Sequence, residues 1–191
     1  MGDLKALKQN YVHTRNITVA TYAVDEDTVM VEGTLKDDRF KSTYSLTSGE
    51  MIPPGVIHNL TIRLLVKGIA FRIEDVEVEM NNVPREVCRE TRESLMPLVG
   101  HNIAPGFTIW VKETFGGPKG CTHLNSLLLA MASAVIQGYW THRANTATSV
   151  REMVKNAPDA RYLIDTCWVW RSDGPFVKEM INTLNETKAE D

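Results

Sequence analysis

The chain has 191 residues, 43% apolar and 24% charged, a composition typical of a soluble globular protein that buries one substantial core. Its formal net charge of −3 gives no basic field to attract phosphates, which argues against a nucleic-acid partner. The longest apolar run, Leu124 to Ile136, is too short to span a bilayer, and no N-terminal stretch is ordered like a signal peptide. We therefore expect a cytoplasmic protein without membrane contact. Its three cysteines are far apart in sequence, which favours reduced thiols over a disulfide framework.

The first half of the chain predicts strands. Alternating apolar residues predict a hairpin of strands 16–24 and 28–35, joined by an acidic turn. Residues 37–54 are polar and rich in turn residues, which indicates an excursion or a third edge strand. Two further strands between Ile57 and Met80 turn at Lys67-Gly68, and a change of apolar parity predicts a bulge near Glu74-Asp75 in the second of them. Because the strong strands follow one another through short turns, the sheet should be antiparallel.

The second half predicts helices, which begin after Pro84. We expect helices over 85–96 and 107–115, and then a long buried helix from Cys121. The apolar stripe of the long helix is formed by Leu124, Leu127, Leu128, Met131 and Val135. Farther on, the pattern indicates a helical piece at 150–155, an aromatic-rich extended segment at 162–170 and a last helix near 176–184.

Strands first and helices afterwards predict an α+β fold, in which three or more helices cover one face of an antiparallel sheet. We expect an N-terminal arm at residues 1–12 and an α+β domain at residues 13–142. Residues 143–191 should form a C-terminal extension that packs on the domain, because a merely solubilising tail would not hold two tryptophans and a cysteine.

The clearest candidate site is the stretch Gly120-Cys-Thr-His-Leu124 at the start of the long helix. Unpaired backbone N–H groups at a helix N-terminus favour a thiolate, so Cys121 is the best candidate for a nucleophile or a metal ligand. With His58, Cys88 and His123 it would supply four donors suited to a tetrahedral zinc or iron site. The alternative is that Cys88 is a small buried residue and Cys121 an ordinary first residue of a core helix.

Two further hypotheses concern the residues near this site. His13 and Arg15 could bind the carboxylate or phosphate of a cofactor or small-molecule substrate, although the pair could equally lie in solvent at a strand edge. If Cys121 is free rather than metal-bound, it could be the nucleophile of a thiol-dependent enzyme, with His123 or His58 as its base and an acyl or thioester group as its substrate. A protein partner or a homo-oligomer is compatible with either interpretation.

A set of short motifs resembles a known family. They are His13-Thr-Arg15, Val31-Glu-Gly-x-Leu35, His58-x-Leu60, Ile73-x-Asp75, Pro105-Gly106-Phe107, Gly120-Cys-Thr-His-Leu124 and Asp165-Thr-Cys167. Together they resemble the bacterial proteins of domain of unknown function 2889, over residues from about 13 to 175. The resemblance implies no activity, because the family has none established.

The order of the elements is also similar to that of the U-type iron-sulfur cluster scaffold proteins, in which three cysteines and an acidic residue hold zinc or a cluster. By that resemblance His58 would take the place of the first cysteine, Cys88 of the second and Cys121 of the third. The chain lacks the Cys-Gly-Asp of the first motif and the Gly-Cys-Gly around the second cysteine. Fold similarity would survive these differences better than scaffold function would. The resemblance implies zinc, iron or an iron-sulfur cluster as the cofactor.

Overall fold

A computed structural model describes residues 3–143 and 164–189 of the chain. The chain divides into two compact units, Met1–Trp140 and Thr141–Asp191. Within the described residues, no helix has the length and apolar character that crossing a membrane requires.

The first unit is built on a four-stranded antiparallel sheet of order β1-β2-β5-β6. Its strands are β1 (His13–Asp25), β2 (Thr28–Arg39), β5 (Gly55–Lys67) and β6 (Arg72–Asn82). Both predicted hairpins are confirmed. The bulge is confirmed too, because Leu65 pairs with Asp75 while its neighbour Val66 pairs with Ile73, which leaves Glu74 as the extra residue.

The excursion between β2 and β5 contains the two-residue strands β3 (Thr43–Tyr44) and β4 (Met51–Ile52). They pair with each other and not with the main sheet. The excursion hypothesis is therefore confirmed, and the alternative of a third edge strand is wrong.

Helices follow the sheet, as expected for an α+β fold. They are α1 (Phe107–Phe115) and α2 (Thr122–Arg143), with 3₁₀ segments at Glu86–Leu98 and Gly117–Lys119, and a further 3₁₀ segment at Leu4–Leu7 precedes the sheet. The segment predicted as a helix over 85–96 is thus a 3₁₀ helix. The hydroxyls of Thr91 and Ser94 donate to the carbonyls of Cys88 and Thr91, three residues earlier in each case, and so compete with α-helical hydrogen bonds.

The core lies between α2 and one face of the sheet. On α2 the predicted stripe is buried, and Tyr139 extends it. The helix crosses the sheet closely at two glycines, since a Cβ on Gly33 would lie 2.5 Å from Sδ of Met131 and one on Gly138 would lie 2.2 Å from Oγ1 of Thr21. The opposite face of the sheet is polar, and there Arg63 binds Glu32 and Glu79 at 2.6 Å each.

In the second unit the structure describes residues 141–143, which end α2, and residues 164–189, which contain helix α3 (Pro175–Ala189) and confirm the last predicted helix. Residues 164–170 form turns and bends, so the prediction of an extended segment is wrong for them. Asp165 has a φ of 63°, and its backbone N–H donates to the carbonyl of Trp170 at 2.8 Å, which folds the segment back on itself. The predicted helical piece at 150–155 and residues 162–163 lie outside the described residues.

Candidate functional site

Three polar side chains form a row across three strands of the sheet. Arg15 of β1 lies directly opposite Asp37 of β2, and Asp37 lies directly opposite His58 of β5. Directly paired residues point to the same face of a sheet, so all three lie on the side that carries the core. At this end of the sheet the apolar core gives way to a polar cluster.

Asp37 is the centre of the cluster, and its side chain is only 1% exposed. Arg15 donates from Nε to Oδ1 at 2.7 Å and from Nη2 to Oδ2 at 2.8 Å, while Nδ1 of His58 lies 2.8 Å from Oδ2. Burial by itself would raise the pKa of the Asp37 carboxyl, but the hydrogen bonds from Arg15 and His58 outweigh burial and lower the pKa to about 2. The carboxylate is therefore charged at neutral pH.

His123 reaches the cluster from the first turn of α2. Its ring lies 3.8 Å from the ring of His58, and its Nε2 lies 3.9 Å from Oδ2 of Asp37. Burial lowers the pKa of His123, and the charges of His58 and Arg15 add to this effect while Asp37 opposes it. The imidazole is thus neutral at pH 7, the form that binds metal ions.

Asp37, His58 and His123 each offer a potential ligand atom, and these atoms all lie within 4.8 Å of one another. Among the described residues this is the single group of three or more histidine, cysteine or acidic side chains that could hold a metal ion. The site predicted from the sequence therefore contributes His58 and His123, and Asp37 completes the group.

Neither cysteine predicted as a ligand belongs to this group. Cys121 immediately precedes α2, where its carbonyl accepts a hydrogen bond from the N–H of Asn125, and its Sγ lies 3.8 Å from Nδ1 of His123. Cys88 lies in the 3₁₀ segment and is partly buried against the hydrophobic core. Cys121 is thus adjacent to the group, whereas no contact in the described structure links Cys88 to it.

His13 and Arg15 lie beside the site, as their proposed binding role requires. Nε2 of His13 is 3.5 Å from Oδ1 of Asp37, and the side chains of His13 and Arg15 are 43% and 38% exposed. They therefore form the solvent-exposed side of a cluster whose centre is buried.

Sequence reasoning missed Asp37, which it placed in the polar excursion. A usable signal was present, because Asp37 continues the alternation of Val29, Val31, Gly33 and Leu35, which face the helices. A carboxylate at a buried position of a strand requires a partner, and the basic pair at the start of β1 supplies one.

The chain matches the model of a known protein family. A family model described as "Protein of unknown function (DUF2889)" matches residues 13–137. The chain belongs to this family. The matched region begins at the first residue of β1 and contains the six side chains at or beside the site, namely His13, Arg15, Asp37, His58, Cys121 and His123. Neither the curated proteins nor the solved structures contain a match to the chain.

Proposed function

We propose that the protein binds a metal ion, zinc or iron, through Asp37, His58 and His123. The observation that carries the proposal is the spacing of three potential ligand atoms within 4.8 Å, on side chains fixed by the sheet and by the start of α2. Tetrahedral zinc with bonds of about 2.0–2.2 Å holds its nitrogen and oxygen ligands roughly 3.5 Å apart, so side-chain movements of about 1 Å would close the site.

The chemistry of the donors supports this choice of metal. Two imidazoles and one carboxylate are the protein ligands of many catalytic zinc sites and of non-haem Fe(II) sites. Iron-sulfur clusters are held mainly by thiolates, and the group of three contains none, so the donors favour a single ion over a cluster. Arg15 would orient the Asp37 carboxylate from the side away from the ion, as the hydrogen-bonded neighbours of metal ligands do.

We propose Cys121 as a fourth ligand. Its sulfur is outside the group of three but lies 3.8 Å from Nδ1 of His123, close to the roughly 3.6 Å that separates nitrogen and sulfur ligands of one tetrahedral zinc ion, so the thiolate would join the ion if His123 binds it through Nδ1. In Co²⁺-loaded protein a thiolate ligand produces a sulfur-to-cobalt charge-transfer band in the near ultraviolet. The Cys121→Ser variant should bind cobalt without this band, whereas a wild-type spectrum that already lacks it would limit the ligands to the other three.

The proposal is tested by measuring bound metal. Protein purified without chelator, stripped and then reloaded with Zn²⁺ or Fe²⁺, should hold about one ion per chain. The variants His58→Gln and His123→Gln should lose most of this binding. The matched control is His101→Gln, because His101 stacks on Trp110 at 3.6 Å and is not part of the group. A wild type that retains neither ion, or a control that loses the metal equally, would refute the proposal.

A second candidate function is supported by the alignment of Cys121, His123 and Asp37. Nδ1 of His123 lies 3.8 Å from the thiol, and its Nε2 lies 3.9 Å from Asp37, the order of nucleophile, base and orienting carboxylate found in thiol enzymes. The thiolate would attack the carbonyl carbon of an acyl or thioester substrate and expel its leaving group.

Alkylation by iodoacetamide distinguishes the two functions. A thiol enzyme should be alkylated quickly at Cys121, more slowly in the His123→Gln variant, and at the same rate with or without zinc. A metal centre that includes Cys121 should instead be protected by zinc and become reactive when a chelator is added.

A further inference from the structure

The charge of the proposed metal centre is unusual for a cation site. Asp37 is the single carboxylate in the group of three donors, and Arg15 already pairs with both of its oxygens. The neighbouring carboxylate, Asp38, lies 3.4 Å from the ammonium group of Lys36. Imidazoles bind metal ions in the neutral form, so as metal ligands the donor group and Arg15 together would carry no net charge.

A divalent ion would therefore leave an excess charge of +2 on a largely buried cluster, or +1 if a Cys121 thiolate also binds. Excess charge in a partly desolvated site is costly, and an anion bound to the ion removes that cost. Three protein ligands leave an open coordination position at which such an anion can bind, and if Cys121 binds as a fourth ligand the anion would make the ion five-coordinate.

Arg15 and His13 provide the side chains for an anion at the exposed side of the cluster. A guanidinium has five N–H groups, and Arg15 uses two of them on Asp37. The other three have no partner among the residues that the structure describes. Arg15 is 38% exposed and His13 43%, in contrast to 1% for Asp37, so a ligand arriving from solvent would meet these two side chains first.

We propose that the metal-loaded centre binds a ligand with an anionic oxygen group, a carboxylate or a phosphate. This group would occupy the open position of the ion and accept hydrogen bonds from Arg15 and His13. The inference rests on the proposed metal site, and it assigns to that site a small acidic substrate in place of a purely structural role. Guanidinium groups suit both carboxylates and phosphates, so the experiment must separate these two.

The experiment uses cobalt as the probe. Full-length protein is stripped, loaded with Co²⁺ and freed of excess metal, and its visible absorption is recorded during separate titrations with inorganic phosphate, acetate and chloride. We expect a saturable spectral change with phosphate or acetate, and none with chloride at equal ionic strength. Saturation at the lower concentration identifies the preferred acid. A spectrum that neither phosphate nor acetate alters overturns this inference while leaving the metal site intact.

Variants separate anion binding from the positioning of Asp37. Arg15→Gln should lower the affinity for the anion by about ten-fold or more, as the loss of a charge-assisted hydrogen bond of roughly 1.5–3 kcal/mol implies. His13→Gln should lower the anion affinity less, and this substitution removes no hydrogen bond from Asp37. The matched control is Arg63→Gln, on the opposite face of the sheet, which should bind cobalt and anion like the wild type.

Cobalt affinity and anion affinity are measured separately for each variant. If Arg15 only orients Asp37, Arg15→Gln will lower cobalt affinity while the loaded fraction binds the anion as the wild type does, and that result overturns the proposal. The His13→Gln variant keeps the Arg15–Asp37 pair. If its anion affinity is unchanged, His13 does not take part in the proposed anion binding. A wild type that takes up no cobalt refutes the metal site and this inference together, an outcome distinct from the others.

Discussion

Replacement of Asp37 by asparagine should destabilise the metal-free protein by about 2–3 kcal/mol at pH 7. The magnitude follows from the pKa of this carboxyl, which is about 2 in the folded protein and ~3.9 in an unfolded chain. Because its side chain is 1% exposed, solvent does little to screen its interactions with Arg15 and His58. Arg15 is 38% exposed and can be hydrated once its partner is neutral, so no further penalty for a buried unpaired cation is expected.

The same pKa fixes how this stability should depend on pH. A carboxyl whose pKa is lowered by folding contributes its full stabilisation above the unfolded value and loses it as pH falls through the folded value. The Asp37 contribution should therefore be complete above about pH 5, roughly half gone at pH 3 and absent below about pH 2. The side-chain amide of the Asp37→Asn variant cannot titrate, so the difference between wild type and variant should shrink over this window.

Urea denaturation of chelator-treated protein between pH 7 and pH 3 measures this difference. Asp38→Asn is the matched control, because Asp38 forms a single ion pair with Lys36, and its loss should cost less than about 1 kcal/mol. Equal free energies of unfolding for wild type and Asp37→Asn at pH 7 would refute the reasoning. A difference that stays constant from pH 7 to pH 3 would do so as well.

Three further predictions concern other parts of the chain. Gly33→Ala should lower the free energy of unfolding by about 1–3 kcal/mol in urea titrations, because the new methyl group would overlap Met131; an unchanged value would mean that α2 does not lie this close to β2. Tyr139→Phe should cost about 1–2 kcal/mol, because the buried hydroxyl donates to Oδ1 of Asp27 at 2.5 Å, and a cost near zero would argue against this contact. Cys167 is the exposed cysteine and should react with a disulfide reagent before the two partly buried thiols, which mass mapping of partly labelled protein would show.

The sheet was predictable because its signals are local. Each hairpin has a short turn between two runs of alternating residues, so the turn fixes the pairing of neighbouring strands. The bulge at Glu74 was visible for the same reason, since an extra residue reverses the apolar parity within a single strand. Helices α1 and α2 were predictable from apolar periodicity, although the pattern could not show that hydroxyl groups favour 3₁₀ geometry in Glu86–Leu98.

The site was only partly predictable, because its residues meet through non-local pairing. His58 and His123 could be proposed as donors from residue type and position, but the pairing of Asp37 with His58 spans the excursion between β2 and β5. The register also shifts between Asp37 and Asp38, which no turn signal indicates. The participation of Cys88, the catalytic roles of Cys121 and His123, and the docking of the C-terminal extension on the domain stay predictions.

The polar row across β1, β2 and β5 adds weight to a functional interpretation of this end of the sheet. Burying an ion pair has a desolvation cost in free energy, and the attraction between the two charges often only balances that cost. Apolar residues of similar size would therefore stabilise the fold at least as well. The other core-facing positions of β5 are apolar, namely Leu60, Ile62, Leu64 and Val66. An arginine, a carboxylate and a histidine in one cross-strand row, joined by a histidine and a thiol at a helix start, are therefore poorly explained by stability alone. They are what a site requires when a carboxylate must stay charged and correctly oriented beside two imidazoles.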